Sequence, residues 1–137
     1  MPLVRIDVNE GRSPEEVQAI SRCIHEAILA EYGIPERDYF HIVSEHGTGR
    51  IIAQDAGLGF DRSDGVVMIQ ILTQQGRSQA AKEALFAAIA ASLSGVGVAG
   101  EDVFIGYSEN TAGDWSFGFG RAQYMTGELA VPTPTKA

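Results

Sequence analysis

The chain repeats itself, and the repeat narrows the folds open to it. Glu10-Gly11-Arg12-Ser13 returns 65 residues later as Gln75-Gly76-Arg77-Ser78. Glu36-Arg37-Asp38-Tyr39-Phe40 is echoed 64 residues on by Gly100-Glu101-Asp102-Val103-Phe104. Around these marks the pattern of apolar residues predicts strand, helix and strand, twice. Val4 to Val8 alternates apolar with polar residues, and Tyr39 to Glu45 reads as the strand closing the first unit. Between them Ser13, Pro14 and Glu16 form a helix start with a capping box. Val17, Ile20, Ile24, Ile28 and Leu29 then follow at helical spacing up to Gly33. In the second unit Val66 to Thr73 is a run rich in β-branched residues, which predicts a fully buried strand. Ser78 caps a helix to about Leu93, Gly95 and Gly97 end it, and Val103 to Ser108 is the last strand. The helix alanines, Ala80, Ala81, Ala84, Ala87, Ala88, Ala90 and Ala91, predict close packing on a sheet.

A right-handed crossover makes the two strands of each unit parallel. The expectation is an α/β domain: two βαβ repeats in a four-stranded mixed sheet, with both helices on one face. Repeat 1 covers about 2–46, an excursion 47–65 carries a brief strand at Ile51-Ile52-Ala53, and repeat 2 covers about 66–109. An aromatic and glycine-rich segment fills 110–131, and 132–137 is expected to fray. Two helices leave one sheet face bare, which predicts burial between subunits.

A formal charge of −8 argues against a nucleic-acid or membrane-surface partner, since either needs a basic face. The opening residues carry no secretory pattern and no apolar run suits a membrane span, so the expected compartment is the cytoplasm. Cys23 is the only cysteine, which excludes an intrachain disulfide. Cys23 and His25 read as packing or rim residues of the first helix. His41 and His46, five apart on a strand, point to opposite faces, which argues against a metal site.

Chemistry enters at Met1-Pro2. Removal of Met1 exposes a secondary amine on a rigid strand. Such an amine acts as a base when neutral, an acid when protonated, or a nucleophile toward a carbonyl. With Met1 retained, Pro2 is an ordinary amide and that chemistry is absent.

Four stretches bear on this: Met1-Pro2-Leu3, Glu10-Gly11-Arg12, Asp55 to Ser63, and Glu109-Asn110 with Asp114-Trp115-Ser116-Phe117-Gly118. Together with the doubled βαβ pattern they make the chain similar to the malonate semialdehyde decarboxylase family of the tautomerase superfamily. The resemblance implies a homotrimer that converts 3-oxopropanoate to acetaldehyde and CO2, without metal or organic cofactor. It places the catalytic proline on Pro2 and the catalytic aspartate on Asp38, with an apolar wall of Trp115, Phe117, Tyr124 and Leu129. The family's best-known members carry two arginines at the positions of Gln74 and Gly76. A branch with a similar Thr-Gln-x-Gly-Arg segment points instead to Arg77 as partner of the substrate carboxylate, with Gln74 adding a hydrogen bond. A carboxylate near Pro2 is expected to raise its pKa and hold it cationic. Water addition to an activated alkyne or alkene acid is the expected side reaction.

Other readings stay open. Arg12 fills the same turn as Arg77, and Asp102 repeats Asp38, so both motifs can simply be the way these helices and strands begin. The alternatives in function are a keto–enol tautomerase with neutral Pro2 as base, a hydratase or dehalogenase of a related small acid, or a non-catalytic trimeric domain.

Overall fold

Both helices start as the sequence dictates. Ser13 accepts a hydrogen bond from the Glu16 amide while the Glu16 carboxylate accepts from the Ser13 amide, closing the capping box. Ser78 caps the second helix through the Ala81 amide. The glycine two residues before each cap has nearly the same left-handed φ, 126° at Gly11 and 125° at Gly76, so the repeated Gly-Arg-Ser is one turn used twice. Gly33 ends the first helix in the αL conformation.

In the computed structural model, residues 1–132 are described. The elements are β1 (Leu3–Asn9), α1 (Pro14–Tyr32), β2 (Phe40–His46), β3 (Val67–Gln74), α2 (Gln79–Ser94), β4 (Val103–Asn110) and a short α3 (Gln123–Thr126). They form a four-stranded sheet in the order β2-β1-β3-β4. β1 runs parallel to β2 and β3 parallel to β4, while β1 and β3 are antiparallel at the centre. Two parallel βαβ units thus meet about a pseudo-twofold axis, the doubled fold that the repeat predicts.

Val4, Ile6 and Val8 of β1 and Val67, Ile69 and Ile71 of β3 face the helices. There they pack on Ile20, Ile24 and Ile28 of α1 and Leu85, Ile89 and Leu93 of α2. Each fully buried side chain of this size stabilises the fold by about 1.5–3 kcal/mol. The opposite face is bare within the chain. Phe40, Ile42 and Phe104 on it are 38%, 42% and 44% exposed.

Three expectations need correcting. The alanines of α2 build only part of its buried face: Ala81 and Ala88 pack against the core, Ala80, Ala84, Ala87 and Ala91 are exposed, and the longer Leu85, Ile89 and Leu93 reach deepest. Within the single chain β3 is covered on one side only, with Gln70 exposed and Met68 and Leu72 half-buried. Residues 51–53 form no strand, since no strand of the same chain lies alongside to pair with them, and Ile52 stays 83% exposed. The expected frayed tail, apart from Pro132, lies outside the described residues.

The excursion is held by its own polar groups. Asp55 accepts from the Gly57 and Gly59 amides at 3.1 and 2.7 Å. Arg62 donates to the carbonyls of Gln54 and Glu101.

Candidate active site

The amine of the chain lies at the open end of β1, against the connection between α1 and β2. The Met1 nitrogen is 2.9 Å from Asp38 Oδ2, and both Met1 and Pro2 are buried. Burial lowers the pKa of this amine and outweighs Asp38, which raises it by hydrogen bond and charge; Arg77 lowers it further. The expected raising by Asp38 is therefore present, but for the Met1 amine the net direction is downward.

Arg77 and Gln74 come from the far end of β3. Continuing the β1–β3 register past Leu3 and Leu72 sets Thr73 abreast of Pro2 and Gln74 abreast of Met1. Arg77 is 6% exposed, and its guanidinium lies 4.4 Å from the Tyr32 ring centre. The Tyr32 hydroxyl pairs with that of Tyr107 at 3.0 Å. Gln74 donates to the Pro132 carbonyl at 3.1 Å. Among the described residues, Thr73 Oγ1, Gln74 Oε1 and Arg77 Nε are buried polar atoms without a partner in the chain. Buried polar atoms are nearly always satisfied, so these mark places at the end of β3 where a polar ligand can sit. Thr73 is the residue that sequence reasoning missed. Its only signal in the sequence is a hydroxyl at the end of an apolar strand, beside Gln74.

The aromatic segment is built by its own polar residues. Asp114 accepts from the Thr111 amide and hydroxyl at 2.7 and 2.9 Å, fixing a single turn at Ala112–Asp114. The indole N–H of Trp115 donates to Asn110 Oδ1 at 2.9 Å. Gln123 accepts from the Phe117 amide and donates to the Gly118 carbonyl. Trp115 stacks on Phe117 at 6.0 Å, Tyr124 meets Phe117 edge-on at 5.2 Å, and Phe40 joins from β2 at 5.6 Å. The Tyr124 hydroxyl is pushed up to about 12, by burial first and then by the charge of Asp38, with Arg77 opposing. Tyr124 therefore belongs to the neighbourhood of Asp38 and Arg77, and stays protonated at neutral pH. Leu129 is 42% exposed and stands at the margin of this wall.

Met1 itself, fully buried, fills the space beside Asp38. The clefts of about 490 and 530 Å³ in the chain lie elsewhere, between α1 and β2, beside Ser21 and His41 in one case and His25 and Arg37 in the other. His41 and His46 do lie on opposite faces: His41 bonds Ser21 under α1, and His46 pairs with Asp7 on the bare face at 2.6 Å. Among the described residues no helix is long and apolar enough to cross a membrane.

A mixed sheet of two βαβ units, with its first residues meeting an aspartate below an aromatic wall, defines the tautomerase class of proteins. Family models described as tautomerase enzyme match residues 38–118 and 2–61, and the chain belongs to this family. Within it, the chain is similar to FG41 malonate semialdehyde decarboxylase, solved in a form inhibited by 3-bromopropiolate. Identity is 53%, coverage is 95% of this chain and 99% of that one, and the TM-score is 0.93. A malonate semialdehyde decarboxylase solved in wild-type, mutant and inactivated forms, and described as having decarboxylase and hydratase activities, is 31% identical. Here 93% of this chain and 99% of that one are covered, with a TM-score of 0.89. The probable tautomerase YrdN of Bacillus subtilis is 35% identical over 94% of this chain and 100% of its own length. The resemblance to malonate semialdehyde decarboxylase thus extends along nearly the whole chain, with the tautomerase fold as its frame.

Proposed function

We propose that the chain, once freed of Met1, is a decarboxylase of 3-oxopropanoate that uses Pro2. The observation that carries this reading is that Asp38 meets the chain's start, 2.9 Å from the Met1 amine and so one residue from Pro2, in the neighbourhood of Arg77 and Tyr124. A methionine residue is larger than 3-oxopropanoate, so its removal opens a space that can take the substrate.

In the proposed reaction the substrate carboxylate takes a hydrogen bond from the Thr73 hydroxyl, and the second N–H of Gln74 Nε2, whose first serves the Pro132 carbonyl, adds another. Tyr124, protonated at neutral pH, is a further donor. Arg77, buried under Tyr32, contributes its positive charge from behind Gln74 and favours an anionic substrate. The Pro2 ammonium, stabilised by Asp38, donates to the aldehyde oxygen. As the bond between the carboxylate carbon and C2 breaks, its electron pair moves to an enolate on C2 and that oxygen, and CO2 leaves. Protonation at C2 gives acetaldehyde. Trp115 and Phe117 provide an apolar surface suited to departing CO2, with Leu129 at its edge. The same ammonium and Asp38 can direct water onto an activated alkynoic acid, the proposed hydratase side reaction. The bare sheet face supports burial between subunits, and the resemblance to malonate semialdehyde decarboxylase points to a homotrimer, in which Ile51 to Ala53 can pair with a neighbouring subunit.

Acetaldehyde formation from 3-oxopropanoate tests this reading. Loss of turnover in Pro2→Ala supports it, and an inactive Met1-free wild type overturns it. Borohydride trapping separates the hydrogen-bonded route from an iminium at Pro2, because only the iminium leaves a reduced adduct on the chain.

One observation favours a second reading. Pro2 is buried, burial disfavours the charged form of an amine, and a neutral Pro2 is a general base suited to keto–enol tautomerisation. Turnover of enol phenylpyruvate in the absence of decarboxylation would select it.

A further inference from the structure

Asp38 sits in the connection 34–39, which among the described residues has one internal backbone hydrogen bond, from the Asp38 amide to the Pro35 carbonyl at 3.0 Å. So short a segment does not fix a carboxylate by itself. Its anchors come from α1. His25, 4% exposed, places Nε2 at 2.9 Å from the Glu36 carbonyl. The partner is an acceptor, so Nε2 carries the proton and donates. The His25 ring stacks on Tyr39, centroids 3.9 Å apart and planes 25° from parallel. The Tyr39 hydroxyl meets Ser21 Oγ at 2.8 Å, and Ser21 Oγ meets His41 Nδ1 at 2.8 Å. The chain is therefore gripped two residues before Asp38 and one residue after it, by two side chains one helical turn apart on α1.

We propose that His25 and Tyr39 are positioning residues: they hold the connection so that the Asp38 carboxylate stays at the chain's amine. This inference rests on the reading of Pro2 as the reacting amine. It also gives work to a buried histidine that the reaction does not touch. His25 acts here as a hydrogen-bond donor and a flat surface. The charged groups facing the amine are Asp38 and Arg77, and Tyr124 faces both of them. If the clamp loosens, Asp38 retreats and the amine loses the group that raises its proton affinity.

The test is the titration of the Pro2 amine in Met1-free protein labelled with nitrogen-15 proline, read by NMR. Asp38→Asn is expected to lower the amine's pKa. His25→Leu and Tyr39→Leu are expected to lower it in the same direction by a smaller amount, with kcat falling more than KM rises. His25→Gln, which keeps a donor for the Glu36 carbonyl, is expected to return most of the wild-type value. In an Asp38→Asn background His25→Leu is expected to add nothing, because its effect runs through Asp38. Folded His25→Leu and Tyr39→Leu proteins with the wild-type titration overturn the proposal, as does a His25→Leu shift that persists without the Asp38 charge. Tyr39 is 41% exposed, so Tyr39→Leu carries the test if His25→Leu does not fold. The titration needs no substrate. A chain inactive on 3-oxopropanoate would overturn the proposed reaction, while the clamp would still be judged by the amine alone.

Discussion

In the first repeat Asp38 faces the chain's amine, and the arginine that approaches from the other repeat, Arg77, has an unpartnered Nε. In the second repeat Asp102 occupies the matching place and faces Ser63, taking hydrogen bonds from its amide at 2.7 Å and its hydroxyl at 2.5 Å. There the crossing arginine is Arg12, and its guanidinium ends on the Gly65 carbonyl at 2.6 Å. A Cβ on Gly65 would lie within 3.4 Å of Ser63, Arg12 and Asp102 alike, so that cluster has no room left. One pair of motifs has thus been used in two ways. Where the chain begins, the partner of the aspartate is a terminal residue that processing can remove. Where the chain continues, the partner is an internal loop, and the same groups become a latch for the excursion. Unsatisfied polar atoms distinguish the first from the second, as expected of a binding site set against a structural one.

The largest effect that would break this comparison concerns the amine. Pro2→Ala in Met1-free protein is expected to lower decarboxylation by about 10²–10⁴-fold, the range of a lost acid–base group. No substitution in the Ser63–Asp102–Arg12 cluster should approach it. Next come the two aspartates. Asp38→Asn is expected to lower kcat by about 10²-fold, with little change in the urea midpoint. Asp102→Asn should do the reverse, costing about 1–3 kcal/mol of stability as the Ser63 contacts fail while the folded protein keeps its kcat.

The two arginines sharpen the contrast on a smaller scale. Arg77→Ala is expected to raise KM for an anionic substrate roughly 10-fold, as the loss of one buried charge interaction would. Arg12→Ala should leave KM unchanged and cost about 1 kcal/mol of stability, measured by urea unfolding. The smallest effect is one of pH. Burial pushes His41 down to about 4 from its ordinary 6.5, with the charge of His25 second. Below pH 6.5 the unfolded chain takes up a proton that the folded chain refuses until about pH 4, so this group makes stability fall with pH across that window. His41→Asn should flatten the fall, read as the difference in urea midpoint between pH 7 and pH 5.

Much of the fold was legible because its signals are local and doubled. Ser13 and Ser78 cap, Gly33 ends a helix in αL, and the alternation of Val4, Ile6 and Val8 sets the buried face of β1. Register and cross-chain contacts were not legible. No periodicity shows that Thr73 falls abreast of Pro2, or that Asn110 exists to hold the Trp115 indole. Arg77 was readable as a cation near the site, but its place under the Tyr32 ring depends on a helix end 45 residues away. The alanines of α2 misled because small residues suit either a tight contact or a solvated helix face, and only the longer Leu85, Ile89 and Leu93 decide which. His25 read as a packing residue; its hydrogen bond to the Glu36 carbonyl appears only once the connection folds back on α1.

The central claim is that the Pro2 amine, exposed near Asp38 once Met1 is removed, and not the closed counterpart at Asp102, performs the chemistry. The direct test is acetaldehyde release from 3-oxopropanoate by protein shown by mass spectrometry to lack Met1, with Pro2→Ala, Asp38→Asn and Asp102→Asn alongside. The account expects turnover in the wild type and in Asp102→Asn, with loss in the other two. Equal turnover in the wild type and Pro2→Ala, or none in the Met1-free wild type, would contradict it.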